Sequence, residues 1–583
     1  MVFKHFLTLA AGLGLAVCVS GASPAQTRAV EPAPPIIAYD ARVLPVLARN
    51  GMVASQEVKA SRVGTEILKR GGNAVDAAVA VGFALAATLP QAGNLGGGGF
   101  MLVHLAKEKK TIAIDYREAA PADTPKDVFL DDKGDFVPER SQSSGLGVGV
   151  PGTVAGLVLA HRKYGSGKLT LAQLIAPAVA LAQNGFTVDD DLADSLPRAM
   201  RRMGRYPSSR AIFTKDGKPL GRGDTLIQRD LAKSLERIAN HGAEGFYDGE
   251  TAQKLVAAVR AYGGRMTLAD LKAYHAIERE PVRGTYRGWD VVSMPPPSSG
   301  GVHLIELLNI LEGWPLKEMG QNSAQTIHVM AESMKRVYAD RAEYMGDPDY
   351  VKMPLAGLLS KPYAQKVREQ ISLEKATPSK EIKAGNPLPY ESDQTTHYSV
   401  VDRDGNAVSN TYTLNFSYGL GLVADGTGII LNNELDDFAA KAGAMNAYGL
   451  LGGAANAPGP NKRPLSSMTP TMVFKNGELE IVTGSPGGSR IITIVLQVVL
   501  NILDHGMNAA EASEAVRIHH QWQPDELRVE RGLSIDTIKL LEGKGHDVRV
   551  GSTFGSAQTI HRLDGLLMGA SDSRQRGGGA VGY

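Results

Sequence analysis

Two stretches of the chain combine residue types and spacing that could do chemistry. Gln394-Thr395-Thr396-His397 opens a strand pattern, so Thr395 and His397 share a face about 6.5 Å apart along the chain. A hydroxyl beside an imidazole has the parts of a nucleophile–base pair, although a threonine that opens a strand serves a structural role equally well. The second stretch is Gly484-Ser485-Pro486-Gly487-Gly488-Ser489, between the strand pattern 478–483 and the apolar helix pattern 491–503. N–H groups at a helix N-terminus are free and lie along a favourable dipole. Two adjacent glycines let a substrate carbonyl come close to them, as an oxyanion hole requires; many β–α turns share the pattern.

Other candidates carry less. The Gly96–Gly99 run lacks the Lys-Ser/Thr of a phosphate-binding loop and the GxGxxG spacing, so close backbone packing is expected of it. His519-His520 has no third ligand at useful spacing and reads as structural, and Asp189 to Asp191 reads as a turn or helix cap.

The elements that must position these residues follow from periodicity and stop signals. Residues 55–70 read as an amphipathic helix ended by Gly71-Gly72. Asn73 should cap a second helix, 74–88, that is apolar on nearly every side; its length and Asp76 favour a buried core helix over a membrane span. Strands are expected at 100–105 and 111–116 around a charged KEKK tip, then a mostly helical region over 150–380 with a PPPSSGG loop at 295–301. A hairpin is expected from 396–401 and 407–414 around the turn 402–405, and a mobile loop over 442–461.

Composition bounds the class. Lys+Arg total 62 and Asp+Glu 61, which argues against a polyanion binder, and 43% hydrophobic with 21% charged residues is ordinary globular material. Glycine is in excess, at 66 of 583 residues. Residues 1–25 read as a signal peptide: Lys4 and His5, an apolar run over 6–19, then Ser23-Pro24-Ala25 as a small-x-small cleavage site. The single cysteine, Cys18, falls inside it, so the mature chain is expected to lack disulfides, thiolate chemistry and cysteine-held metals.

Nine stretches together resemble the γ-glutamyltranspeptidase family of N-terminal-nucleophile hydrolases: GGNAVDAAVAVGFALAATLPQAGNLGGGGFML, DYREAAP, GVGVPGTVAGL, MPPPSSGG, DQTTHYSVVD, TYTLN, LNNELDDF, NKRPLSSM and TGSPGGSRII, in that order. The resemblance implies a four-layer αββα sandwich. It also implies a precursor that cuts itself between Gln394 and Thr395 into a large subunit, 26–394, and a small one, 395–583. The freed α-amine of Thr395, with a pKa of roughly 7.7–8.0, would then serve as base, which leaves His397 a structural role. By the same resemblance Thr413 orients the nucleophile, and Gly487 and Gly488 stabilise the oxyanion. Arg117, Ser466 and Ser467 take a donor's α-carboxylate, Asn415, Glu434 and Asp437 take its α-ammonium, and Tyr448 belongs to a lid. From the residues alone, Arg117 could equally form an ion pair with Glu118 or another acid, the two serines a turn, and the acids a solvated loop.

The expected activity is an exported, periplasmic or secreted, γ-glutamyltransferase and glutathione hydrolase. It would pass the glutamyl group to water, amino acids or dipeptides without metal or organic cofactor, nucleic acid or membrane anchor. A glutaryl or cephalosporin acylase on the same scaffold and an uncleaved γ-glutamyl-peptide binding protein are the rival readings. The tail 571–583, SDSRQRGGGAVGY, departs from the family pattern in being looser and more Gly-rich, which leaves its packing open.

Overall fold

A computed structural model describes residues 43–385, 396–441 and 454–583. The expected signal peptide, Gln394, Thr395, Tyr448 and most of the expected mobile loop lie outside the described residues.

Two seven-stranded antiparallel sheets face each other, with helices on both outer sides. In the first sheet the strands run Gly579–Gly582, Gly51–Ser55, Thr396–Asp402, Ala407–Thr413, Gly98–Leu105, Lys110–Tyr116 and Ile277–Arg279. In the second they run Val46–Ala48, Leu566–Ser571, Gln558–Leu563, Glu478–Thr483, Thr471–Lys475, Trp289–Ser293 and Val282–Tyr286. Alternation along a strand divides its side chains between two cores. Phe100 and Leu102 join the core shared with the second sheet, whereas Met101 and Val103 join the core under the first sheet's helices. This is the expected four-layer αββα sandwich.

The helix Ala74–Thr88 is buried along its whole length. Asn73 caps it, with the Asp76 N–H donating to Asn73 Oδ1 at 2.9 Å and the Asn73 N–H returning to Asp76 Oδ2 at 3.0 Å. No helix among the described residues is long and apolar enough to cross a membrane. The preceding helix starts later than expected, at Val58, with Glu57 accepting the Ala60 N–H. Ahead of it, residues 51–55 form a buried strand that pairs with Thr396–Asp402 and takes in Ser55, the expected first residue of the helix. Over 150–380 helices dominate, interrupted by short two-residue strands and by the three sheet strands between Ile277 and Ser293.

The Gly96–Gly99 run packs backbone on backbone. A Cβ on Gly97 would lie 1.9 Å from the Thr413 carbonyl oxygen, and one on Gly96 would lie 2.2 Å from that of Ile430. Asn94 fastens the contact, donating from Nδ2 to Thr413 O at 2.8 Å and accepting the Gly97 N–H at 3.0 Å.

The Gly-rich tail, whose packing the sequence leaves open, is firmly held. Gly579–Gly582 pairs with Gly51–Ser55, Arg574 is bound to Glu530 and Asp572, and Gln575 accepts from Gln56 at 3.1 Å. Its glycines fit tight space: a Cβ on Gly582 would meet that of Ala48 at 2.4 Å.

A polar seam runs between the sheets. His397 is fully buried, its Nδ1 2.8 Å from Thr411 Oγ1 and its Nε2 3.1 Å from Ser399 Oγ. Ser399 and Ser409 donate across to the carbonyls of Gln558 and Thr483. Burial holds His397 down at about 3.

Two measurements test this packing. Gly97→Ala should yield little soluble protein, whereas Gly134→Ala, at φ 79° with open space around it, should cost only about 1–2 kcal/mol in thermal or denaturant unfolding. Between the ordinary 6.5 of a histidine and about 3, the unfolded chain binds a proton at residue 397 that the folded chain refuses, so stability falls as pH drops through that window. The thermal midpoint of His397→Gln should therefore fall less steeply on acidification than that of the parent protein, and equal slopes would remove His397 from its acid sensitivity.

Candidate active site

At one end of the first sheet, Thr396 pairs with Tyr412, which places the start of that strand beside Thr413. Gln56 accepts from the Thr396 hydroxyl and, at 3.4 Å, from the His397 N–H. A cleft of about 380 Å³ opens here, lined among others by Gln56, Thr413, Asn415, Phe416 and Gly487. Thr413 Oγ1 accepts the Asn415 N–H at 2.8 Å. Asn415 takes a left-handed turn, φ 70°, that sends its Nδ2 to the Asn433 carbonyl at 2.9 Å.

Gly487 and Gly488 hold φ 139° and 67°, a backbone that disfavours side chains. Gly487 is half-buried in the cleft wall, while Gly488 is buried behind it and opens the short turn that leads into helix Ile491–Leu503.

Beyond Asn433 the chain turns through Glu434–Asp437 into a second, dry cluster. Arg117, 1% exposed, ion-pairs through Nη1 with Glu434 and through Nη2 with Asp437, and Glu118 stands 3.8 Å away. Its remaining donors reach the backbone, Nε to Pro464 O at 3.0 Å and Nη2 to Leu465 O at 3.1 Å. Burial opposes the guanidinium's charge, but Glu434 and Asp437 outweigh it and hold Arg117 above its ordinary range. Glu434 is pushed up by burial and pulled back by Arg117. The arginine that the resemblance assigns to a carboxylate and the acids that it assigns to an ammonium therefore lie in direct contact.

Ser466 and Ser467 are buried beside this cluster. Ser466 Oγ accepts the Met468 N–H at 3.1 Å, and its carbonyl takes the hydroxyls of Ser298 and Ser299 from the PPPSSGG loop. Ser467 Oγ receives Arg341 Nη2 at 2.5 Å, while Arg341 Nε donates to Ser299 Oγ at 2.9 Å. Arg341, inside helix Ala324–Tyr344, and Asn432, which donates to Gly96 O and Gly149 O at 2.8 Å, were not singled out from sequence. Asn432 does fall in the quoted LNNELDDF stretch; Arg341 stands in an ordinary helical context with no local signal.

The remaining candidates lie outside this arrangement. His519 meets Thr493 Oγ1 and Gln521 Oε1, and His520 Nε2 lies 3.3 Å from Asp525. Among the described residues no group of three His, Cys, Asp or Glu is arranged to hold a metal ion. Asp189 caps the helix Asp190–Met203, accepting the Leu192 N–H at 3.1 Å.

Comparison with known proteins bears on the chain as a whole. The family model for γ-glutamyltranspeptidase matches residues 60–582. The glutathione hydrolase proenzyme of Escherichia coli is 54% identical over 575 residues, covering 98% of this chain and 98% of that protein. Among solved structures, a cephalosporin acylase from Bacillus halodurans superposes with a TM-score of 0.83 at 29% identity, covering 94% of this chain and 99% of that one. The γ-glutamyltranspeptidase of Helicobacter pylori reaches a TM-score of 0.56 at 43% identity, covering 60% of this chain and 97% of its own. With a family model spanning nearly all of the described sheets and relatives this similar end to end, the chain belongs to the γ-glutamyltranspeptidase family.

Proposed function

We propose that the protein is a self-cutting γ-glutamyltransferase and glutathione hydrolase. The observation that carries this reading is the dry cluster of Arg117, Glu434 and Asp437, reached from Thr413 through Asn415 and Asn433. It offers a fixed cation and fixed anions together, which suits the zwitterionic α-carbon end of a glutamyl donor. The names of the E. coli and H. pylori relatives support the same reading.

Maturation begins when the Thr395 hydroxyl attacks the Gln394 carbonyl, shifting the peptide bond to an ester. Water opens the ester, leaving a Gln394 carboxylate and a free Thr395 α-amine, with chains 26–394 and 395–583 held together by their shared sheets. In turnover that amine accepts the hydroxyl proton as Thr395 adds to the donor's γ-carbonyl, and the proton passes to the leaving amine as the glutamyl ester forms. The Gly487 and Gly488 N–H groups face the oxyanion, and the Thr413 hydroxyl orients Thr395. Arg117, Ser466 and Ser467 receive the α-carboxylate, Asn415, Glu434 and Asp437 receive the α-ammonium, and Tyr448 screens the site. Water, an amino acid or a dipeptide then takes the glutamyl group. No metal or organic cofactor enters these steps, and the leader 1–25 directs export to the periplasm or medium.

Two experiments test the reading. On a denaturing gel with mass analysis, the purified protein should show two fragments whose junction is Gln394/Thr395, and Thr395→Ala should show one chain; uncut chain in both would favour the binding-protein alternative. Hydrolysis of γ-glutamyl-p-nitroanilide should exceed that of its glutaryl equivalent by roughly a hundredfold or more in kcat/KM, because a glutaryl group brings no ammonium to Asn415, Glu434 and Asp437. The reverse order would identify an acylase.

A further inference from the structure

The strand Thr396–Asp402 is paired on one side from its first residue, with Thr396 opposite Tyr412 and His397 opposite Thr411. On its other side the neighbouring strand Gly51–Ser55 ends too soon. Ser55 stands opposite Tyr398, and the chain then bends through Gln56 and Glu57 into the helix that starts at Val58. Among the described residues, Thr396 and His397 therefore have no strand partner on that side. The buried side chain of Gln56 stands there instead. Its Oε1 accepts the Thr396 hydroxyl and, at 3.4 Å, the His397 N–H, so one amide carries the ladder past the end of its strand.

A glutamine amide has two ways to face, and a second set of bonds selects one. Gln56 Nε2 donates to Gln575 Oε1 at 3.1 Å. Gln575 Nε2 donates in turn to Asp191 Oδ2, which also accepts Gln91 Nε2 at 2.7 Å. An ionised carboxylate only accepts. Asp191 therefore draws the Gln575 NH2 to itself and turns the Gln575 oxygen towards Gln56, which leaves Gln56 Oε1 for the strand. Among the described residues Asp191 forms no ion pair, whereas Asp189, Asp190 and Asp194 are paired with Lys59, Arg222 and Arg576. Its bonds go to the two amides.

We propose that Gln56, oriented by Asp191 through Gln575, is a positioning residue for the nucleophile, pinning the two residues that follow Thr395. The inference rests on the self-cutting reading. In that reading the cut makes Thr395 a chain end, and chain ends fray unless they are tied down. Residues 396 and 397 are all that Thr395 stays attached to, and a strand holds only one of their two sides. Gln56 holds the other.

The test uses matured protein, with the 394/395 cut confirmed by mass, and γ-glutamyl-p-nitroanilide. Gln56→Ala should lower kcat by about tenfold or more and keep KM within about twofold of the parent, because a loosened nucleophile leaves donor binding intact. Gln575→Ala, which frees the Gln56 amide to turn over, should lower kcat by about threefold in the same way. In hydrogen exchange, the first amides of the small chain should exchange faster in Gln56→Ala while those of Ala407–Thr413 keep the parent rate. A general loss of stability would raise both. A cut, active parent whose kcat is matched by Gln56→Ala overturns the inference alone, as does a rise in KM at unchanged kcat. An uncut or inactive parent overturns the functional reading and the inference with it. Should Gln56→Ala not fold, Gln575→Ala decides, and a kcat equal to the parent's overturns the inference.

Discussion

Arg117 is a guanidinium almost wholly withdrawn from water, and its surroundings are arranged to make that tolerable. Taking such an ion out of solvent is costly unless geometry and hydrogen bonds repay it. Here the repayment comes from segments far apart in sequence: Glu434 and Asp437 on one turn, and the carbonyls of Pro464 and Leu465 on another. Each of those turns is itself fixed. Asn432 ties the first to the backbones of Gly96 and Gly149, and Ser298, Ser299 and Arg341 hold the second. A long-range ion cluster of this kind defines where loops from both sheets must meet, so the fold and the pocket are one problem.

The polar seam between the sheets works differently. His397, Ser399, Ser409, Thr411 and Thr483 are neutral and buried, with His397 bonded to Thr411 and Ser399, and Ser409 donating to the Thr483 carbonyl. Such a seam gives the sheet faces a register that apolar packing alone leaves loose, since a slip by one residue would orphan several partners. It also explains why an imidazole so near the strand's start is no base: with its ring nitrogens engaged and its charged form suppressed, it has no proton to trade.

Local chemistry made much of the scaffold legible. Asn73 and the apolar run after it specify a capped, buried helix, and the glycine run shows its packing role by lacking every feature of a phosphate loop. What escaped was set by partners distant in the chain. Gly51–Ser55 shows as a strand only once Thr396–Asp402 is beside it, and Arg341 looks like any helical arginine until Ser467 is in reach. The roles of Arg117, Glu434, Asp437, Ser466 and Ser467 came from resemblance rather than spacing, because their convergence depends on turns that no local pattern announces.

The tail gives the molecule an order of events. Gly579–Gly582 completes the edge of the first sheet, and Gln575 meets Gln56, the side chain that also holds Thr396. A polypeptide emerging N-terminus first has neither contact until residues 575–582 are free. The strand Thr396–Asp402 therefore has its full support only once a segment some 180 residues downstream is in place, and a product cut short before residue 575 lacks that brace.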